Sequence, residues 1–203
     1  GYTSTAPIIL EQLHLQGNII IRSESKITVK SSAMLKDVII AAPVIEIQDN
    51  VQGSFQAIAS HTITTGKNCR LDYPSALILL PDKPQEQNHN NQVQNRIFID
   101  SGTSLKGSIC YLAGQEDTFK DYLVNIYLSK DCQVQGEVYC VGNLELRSNV
   151  KGSVFTAQLI TNENGTTFIN HLFNVSISST DLPQAFAGLL LEKESKSVMK
   201  WLY

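Results

Sequence analysis

The sequence predicts an all-β chain folded as a β-solenoid, a parallel β-helix finished by a C-terminal cap. Three observations predict it. Residues 26–79 divide into three blocks of eighteen, KITVKSSAMLKDVIIAAP, VIEIQDNVQGSFQAIASH and TITTGKNCRLDYPSALIL. Ile27, Ile45 and Ile63 fall in register across them, as do Val29, Ile47 and Thr65, and then Ala33, Val51 and Cys69. A fixed period of this size marks stacked repeats, which bury one continuous core that no single block could build. The second observation is a corner motif of an apolar residue, Lys or Gln, then Gly or Asp. It recurs as Leu35-Lys36-Asp37, Val51-Gln52-Gly53, Leu105-Lys106-Gly107, Val134-Gln135-Gly136 and Val150-Lys151-Gly152. Third, a shift of 99 residues lays Ile27 on Ile126, Ile45 on Leu144, Leu35 on Val134 and Val51 on Val150. One unit is used twice.

In chain order, residues 1–16 are an opening segment in which Leu13 and Leu15 alternate around His14, a partial strand with the His facing solvent. Regular strands start at Gly17. Each is short, with apolar residues at i and i+2 (Ile19/Ile21, Ile27/Val29, Ile45/Ile47) and outward polar residues such as Thr28 and Glu46 between them. Eighteen residues at roughly 3.3 Å each make a turn of about 60 Å, enough for three strands and three corners. Glycine suits a corner with positive φ, and Asp is among the few side chains that tolerate it. Pro74 and Pro81 bracket an apolar strand, after which DKPQEQNHNNQVQN (82–95) is too polar to build a core and is expected to loop out. His89 within it reads as a solvated loop residue. Residues 96–112 resume the strands, and AGQEDTFKDY (113–122), with Glu116, Asp117 and Asp121, is a second insertion. TNENGTTF (161–168) is a turn-rich excursion before a last strand region at 168–178. The expected organisation is therefore residues 1–180 as the repeat body and 181–203 as the cap. The cap carries Phe186, Leu189, Leu190, Leu191, Val198, Leu202 and the single Trp, Trp201. A terminal cap is needed because the last turn would otherwise expose unpaired strand edges.

Composition narrows the function classes. Net charge is −3 and only 17% of residues are charged, so no basic footprint points to nucleic acid. No run of eighteen apolar residues spans a membrane, and GYTSTAPIIL lacks the basic and apolar regions of a signal peptide. Gly1, directly ahead of a folded pattern, reads as a cloning remnant. A membrane is then expected to be reached only through an N-terminal anchor ahead of Tyr2.

Cys69, Cys110, Cys132 and Cys140 form no CxxC spacing and no Cys/His cluster, so no metal is expected and no cofactor either. Cys69 and Cys132 take places held elsewhere by Val51 and Ala33, as buried small hydrophobes. A disulfide is the alternative. Cys110 and Cys140 differ by one residue in register, so their side chains are expected on opposite faces. Phosphate-loop, GxSxG, HExxH and EF-hand patterns are absent. The sequons at Asn164 and Asn174 matter only in a glycosylating source.

Two enzyme classes on β-solenoids bear comparison. Hexapeptide acyltransferases use eighteen-residue coils and a His general base, and Ile27, Ala33, Ile39, Ile45, Val51, Ala57, Ile63 and Cys69 do hold the six-residue phase. Their small residues after the apolar position are missing, and His61 is the sole candidate base. Pectate-lyase-like enzymes use clustered carboxylates and a basic residue. Arg70, Asp72, Arg96 and Asp100 are the candidates for such a surface, expected on one outer face near the 82–95 loop.

The strands NVQGSFQAIA, QVQGEVYCVG and NVKGSVFTAQ resemble those of bactofilins, polymer-forming bacterial cytoskeletal proteins. The layout is also similar to that of uncharacterised Bacteroides-type envelope proteins. The bactofilin resemblance covers about half the chain. It implies a right-handed, three-sided solenoid and a structural role, and it carries over no site residues. The two insertions and the apolar C-terminus depart from the family and speak against end-to-end polymers. The expected function is a non-enzymatic scaffold of the bacterial envelope or surface, outside the cytoplasm. Its expected partners are envelope proteins or a lateral second copy. A glycan-binding or glycan-cleaving module is the alternative, and a cytoplasmic filament a further one.

Overall fold

A computed structural model describes residues 1–82, 95–113, 122–180, 182, 186 and 188. Among these residues the chain is all strand and turn. The strands are β1 (Tyr2–Ser4), β2 (Ile8–Leu10), β3 (Leu13–Ser23), β4 (Lys26–Val29), β5 (Ala33–Ile47), β6 (Gln52–Thr65) and β7 (Arg70–Leu79). There follow β8 (Arg96–Ile99), β9 (Ser104–Tyr111), β10 (Ile126–Leu128), β11 (Gln133–Leu146), β12 (Val150–Glu163), β13 (Thr166–Ile169) and β14 (Ile177–Ser178).

The eighteen-residue period reappears as strand register. Ile27 pairs opposite Ile45 and Ile45 opposite Ile63, while Val29, Ile47 and Thr65 form the next row. In the second half Ile126 lies opposite Leu144, as the 99-residue shift requires. All pairings are parallel except the β12–β13 hairpin. That hairpin turns through Asn164 and Gly165 at φ 49° and 78°, the mirror-type turn that an Asn-Gly pair favours.

The open right-handed β-helix expected from the repeat is corrected by the strand order. β6 is long and feeds two partners, β7 along residues 52–59 and β8 along 62–65. β11 does the same with β9 and β10. Because β7 pairs β9 and β8 pairs β10, the path β6–β7–β9–β11–β10–β8 returns to β6. It is a closed parallel barrel of six strands with the remaining strands added to it. A repeat period reports how strands are spaced along the chain, and says nothing about whether the hydrogen-bonded path ends or returns. Closure has a local cause: β7 and β8 are separate strands that join different ends of β6, and β9 and β10 likewise for β11.

The core is one contiguous apolar cluster. Ile27, Val29, Ile45, Ile47, Val51, Ile63, Ile126, Leu144 and Val150, the residues in register, are all buried. Cys69, Cys132 and Cys140 pack in that core as free thiols, so no disulfide forms. The Cys69 and Cys132 Sγ atoms donate to the carbonyls of Gln48 and Asp100, each at 3.1 Å. Cys110 is also free and buried but lies outside the cluster, facing the other way from Cys140 as the register predicts.

The corner motif holds in part. Leu105, Val134 and Val150 stack in register, and Gly107, Gly136 and Gly152 stack beside them at φ 140°, 145° and 155°. Asp37 takes φ 56° in its corner. The two N-terminal copies do not stack on each other: Leu35 pairs opposite Gly53, as the eighteen-residue register requires. Gly53 serves by close approach, since a Cβ there would meet the Leu35 carbonyl at 2.6 Å.

The outer edge of β12 is covered at both ends, by β14 at residues 150–151 and by β13 at 160–163. Most of the expected 82–95 and 113–122 insertions, His89, Glu116, Asp117, Asp121 and Trp201 lie outside the described residues. So does the expected cap 181–203, apart from Leu182, Phe186 and Gly188.

Candidate docking face

The outer surface of the barrel is not uniformly polar. Ala57, Leu77, Ile109 and Val138 point inward on successive strands, so the residue after each points out. Those outward residues are Ile58, Ile78, Cys110 and Tyr139. The register extends the row to Ala41 on β5 and Phe155 on β12. Six apolar or sulfur-bearing side chains thus cross six parallel strands in one line. Phe155 is 51% exposed, Ile58, Ile78 and Tyr139 are half-buried, and the Tyr139 and Phe155 rings lie 6.2 Å apart in a tilted pair. Beside the row runs a second line, Gln56, Ala76, Ser108, Glu137 and Ser153. Glu137 is buried there, and its charge, after burial itself, helps push the Cys110 thiol up to about 12.

This row escaped the sequence reading, which placed polar residues outward. Its signal was present: VIIAA, QAIAS, ALILL, SICYL and EVYCV carry apolar residues at successive positions and not at alternate ones. Such runs belong to strands covered on both faces.

A different outer face carries aromatic and charged groups. Thr28, Glu46, Thr64, Phe98, Tyr127 and Glu145 form a ladder along β4, β5, β6, β8, β10 and β11. Phe98 and Tyr127 stack with ring centroids 5.2 Å apart and planes 5° off parallel, and the Arg96 guanidinium sits 5.8 Å from the Phe98 centroid. Glu145 is buried and ion-paired to Arg147 at 2.7 Å; Arg147 also reaches Glu163 and the Asn162 carbonyl. These contacts tie the β12–β13 hairpin to β11. Burial, then the Glu145 charge, raises the Tyr127 phenol above its ordinary value.

The four sequence-predicted surface residues separate into two pairs. Arg70 Nε donates to Asp72 Oδ2 at 3.0 Å, and Lys106 approaches the same carboxylate at 3.4 Å. Arg96 lies over Phe98, while Asp100 Oδ1 accepts the Ser101 amide at 2.7 Å, a turn contact. Arg70 is opposite Gln52 and Arg96 opposite Thr62, toward the two ends of β6, so the two pairs stand apart. His61 Nδ1 meets Ser60 Oγ at 2.9 Å, and His14 is exposed as expected. No group of three or more His, Cys, Asp or Glu among the described residues could hold a metal ion. No helix of the described residues is long and apolar enough to cross a membrane.

No protein-family model, curated protein or solved structure matches this chain.

Proposed function

We propose that this chain is a non-enzymatic scaffold that docks partner proteins on the outer face of β5, β6, β7, β9, β11 and β12. The observation that supports this is the apolar row Ala41, Ile58, Ile78, Cys110, Tyr139 and Phe155. Apolar side chains in a line on a rigid sheet mark an interaction surface. The parallel ladders beneath hold them at fixed spacings of about 4.8 Å, so such a face is pre-organised for a partner. We place the scaffold in the bacterial envelope or surface, outside the cytoplasm, on its polar but sparsely charged composition.

The test is a photo-crosslinking amino acid installed at Phe155, in cells of the source organism, with the same group at Glu46 as control. A discrete adduct from position 155, lost when Ile78→Lys is added, is the expected result. Equal adducts from both positions, or an adduct indifferent to Ile78→Lys, would count against the reading. Fractionation of the same cells tests the envelope assignment, and recovery in the cytoplasm alone would overturn it.

The glycan-binding reading draws support from the stacked Phe98 and Tyr127 with Arg96 at one end and Glu145 at the other. The rings face each other, so they offer a sugar mainly their edges. Retardation by a soluble polysaccharide that is lost in Arg96→Ala but kept in Arg70→Ala would favour this second reading.

A further inference from the structure

We propose that the β9–β11 part of the docking face is held by the chain's own C-terminal segment, anchored by Phe186. This deepens the docking reading and names the resident occupant of that face.

Two residues show that something covers this face. Cys110 points outward between the inward Ile109 and Tyr111, yet its exposure is 0%; Glu137 points outward on the neighbouring strand and is 4% exposed. Phe155, one strand further along the same row, is 51% exposed. The cover is therefore local to β9 and β11.

Phe186 and Gly188 stand at that place. Gly107, Gly136 and Gly152 lie in register on three adjacent strands, and the absence of a Cβ at each lets the neighbouring strand's carbonyl approach, leaving a corner of bare backbone. Phe186 Cε2 lies 3.1 Å from where a Gly136 Cβ would stand, so the ring packs against the bare backbone of that corner. Two residues on, a Cβ at Gly188 would fall 2.7 Å from Glu137 Oε2. Phe-x-Gly thus meets the surface twice, a ring against the bare glycine backbone and a side-chain-free residue beside the buried carboxylate. Leu189, Leu190 and Leu191 follow directly in sequence, the chemistry that an apolar row would accept. The face is then a site for an aromatic anchor followed by a glycine, and a docking partner must displace Phe186 or offer the same chemistry.

Cys110 reports occupancy, because the other three thiols lie in the core. Full-length wild type and Phe186→Ala are treated with iodoacetamide, and each cysteine's modification is followed by peptide mass spectrometry. Cys110 is expected to react about tenfold faster or more in Phe186→Ala, with Cys69, Cys132 and Cys140 unchanged, as local opening requires. A synthetic peptide of residues 182–190 added in excess is expected to restore slow labelling. An unchanged Cys110 rate, or all four thiols rising together, overturns the anchor. Failure of the peptide to protect overturns the C-terminal segment as the occupant of this face. Wild type that scatters light as a dimer and labels Cys110 rapidly on dilution assigns the occupant to a second copy, against the proposal. None of these readouts depends on an external partner, so they can fail while the docking reading stands.

Discussion

Replacing Gly107 with alanine puts a methyl group where the Ser75 carbonyl already stands. The built Cβ would lie 1.8 Å from Ser75 O and 2.9 Å from Ser75 C, while real Cβ contacts essentially never fall below 3.0 Å. The β7 and β9 backbones would have to part by about 1.2 Å to reach even that limit. Both flanking atoms are backbone, so no side chain can swing away. Two costs result. Holding a non-glycine residue at φ 140° strains the backbone by about 1–3 kcal/mol. Overpacking adds about 1–3 kcal/mol more, and each ladder hydrogen bond broken by the separation roughly another 1 kcal/mol. With one such bond lost the total is about 3–7 kcal/mol, a large part of a typical native stability of about 5–15 kcal/mol. Gly17→Ala is the control. Gly17 has φ 101° with nothing within 4 Å of the added carbon, so it meets the strain and not the clash. Urea unfolding of both variants separates the terms. With a slope of about 2 kcal/mol per M, Gly107→Ala is expected to lower the midpoint by about 1.5–3.5 M and Gly17→Ala by about 0.5–1.5 M. Equal midpoints for the two variants would refute the stacked-glycine account of this corner.

Other expectations follow from buried charge and thiols. Burial raises Cys110, Cys132 and Cys140 to about 12, about 11 and about 12 from an ordinary 9.0. Folded thiols then keep protons that unfolded ones have released, so stability is full below about pH 9 and falls as pH rises toward 11–12. The urea midpoint is expected to drop between pH 7 and pH 10, by roughly 1 kcal/mol per thiol; a midpoint unchanged at pH 10 would contradict this. Arg147→Ala leaves the Glu145 carboxylate buried without its 2.7 Å partner, at a cost of about 3–5 kcal/mol. Adding Glu145→Gln to it should return part of that loss in the same titration, and a double variant no more stable than Arg147→Ala would mean that the pair is not what holds the hairpin.

The rows Ile27/Ile45/Ile63 and Val29/Ile47/Thr65 were legible in the sequence because register follows from period, and period is a local property of the chain. The inward set, the free core cysteines and the opposite facing of Cys110 and Cys140 came with it, since side chains on a strand alternate with period 2. The irregular steps show the limit of that argument: Leu35 still pairs opposite Gly53 as the period requires, but between Lys36 and Val38 the ladder slips so that Val38 meets Phe55, and the apolar pattern carries no mark of it. Three things were decided by tertiary structure alone. Ring closure depends on which end of β6 accepts β8, a contact 34 residues apart in sequence between Thr62 and Arg96. The separation of Arg70 from Arg96 follows from that same choice. The outward apolar row exists only because six strands place one residue each in a single line, and no one strand contains that information. Spacing along a chain is written in the sequence, but which strands meet across the barrel is set by the free energy of closing and burying the whole.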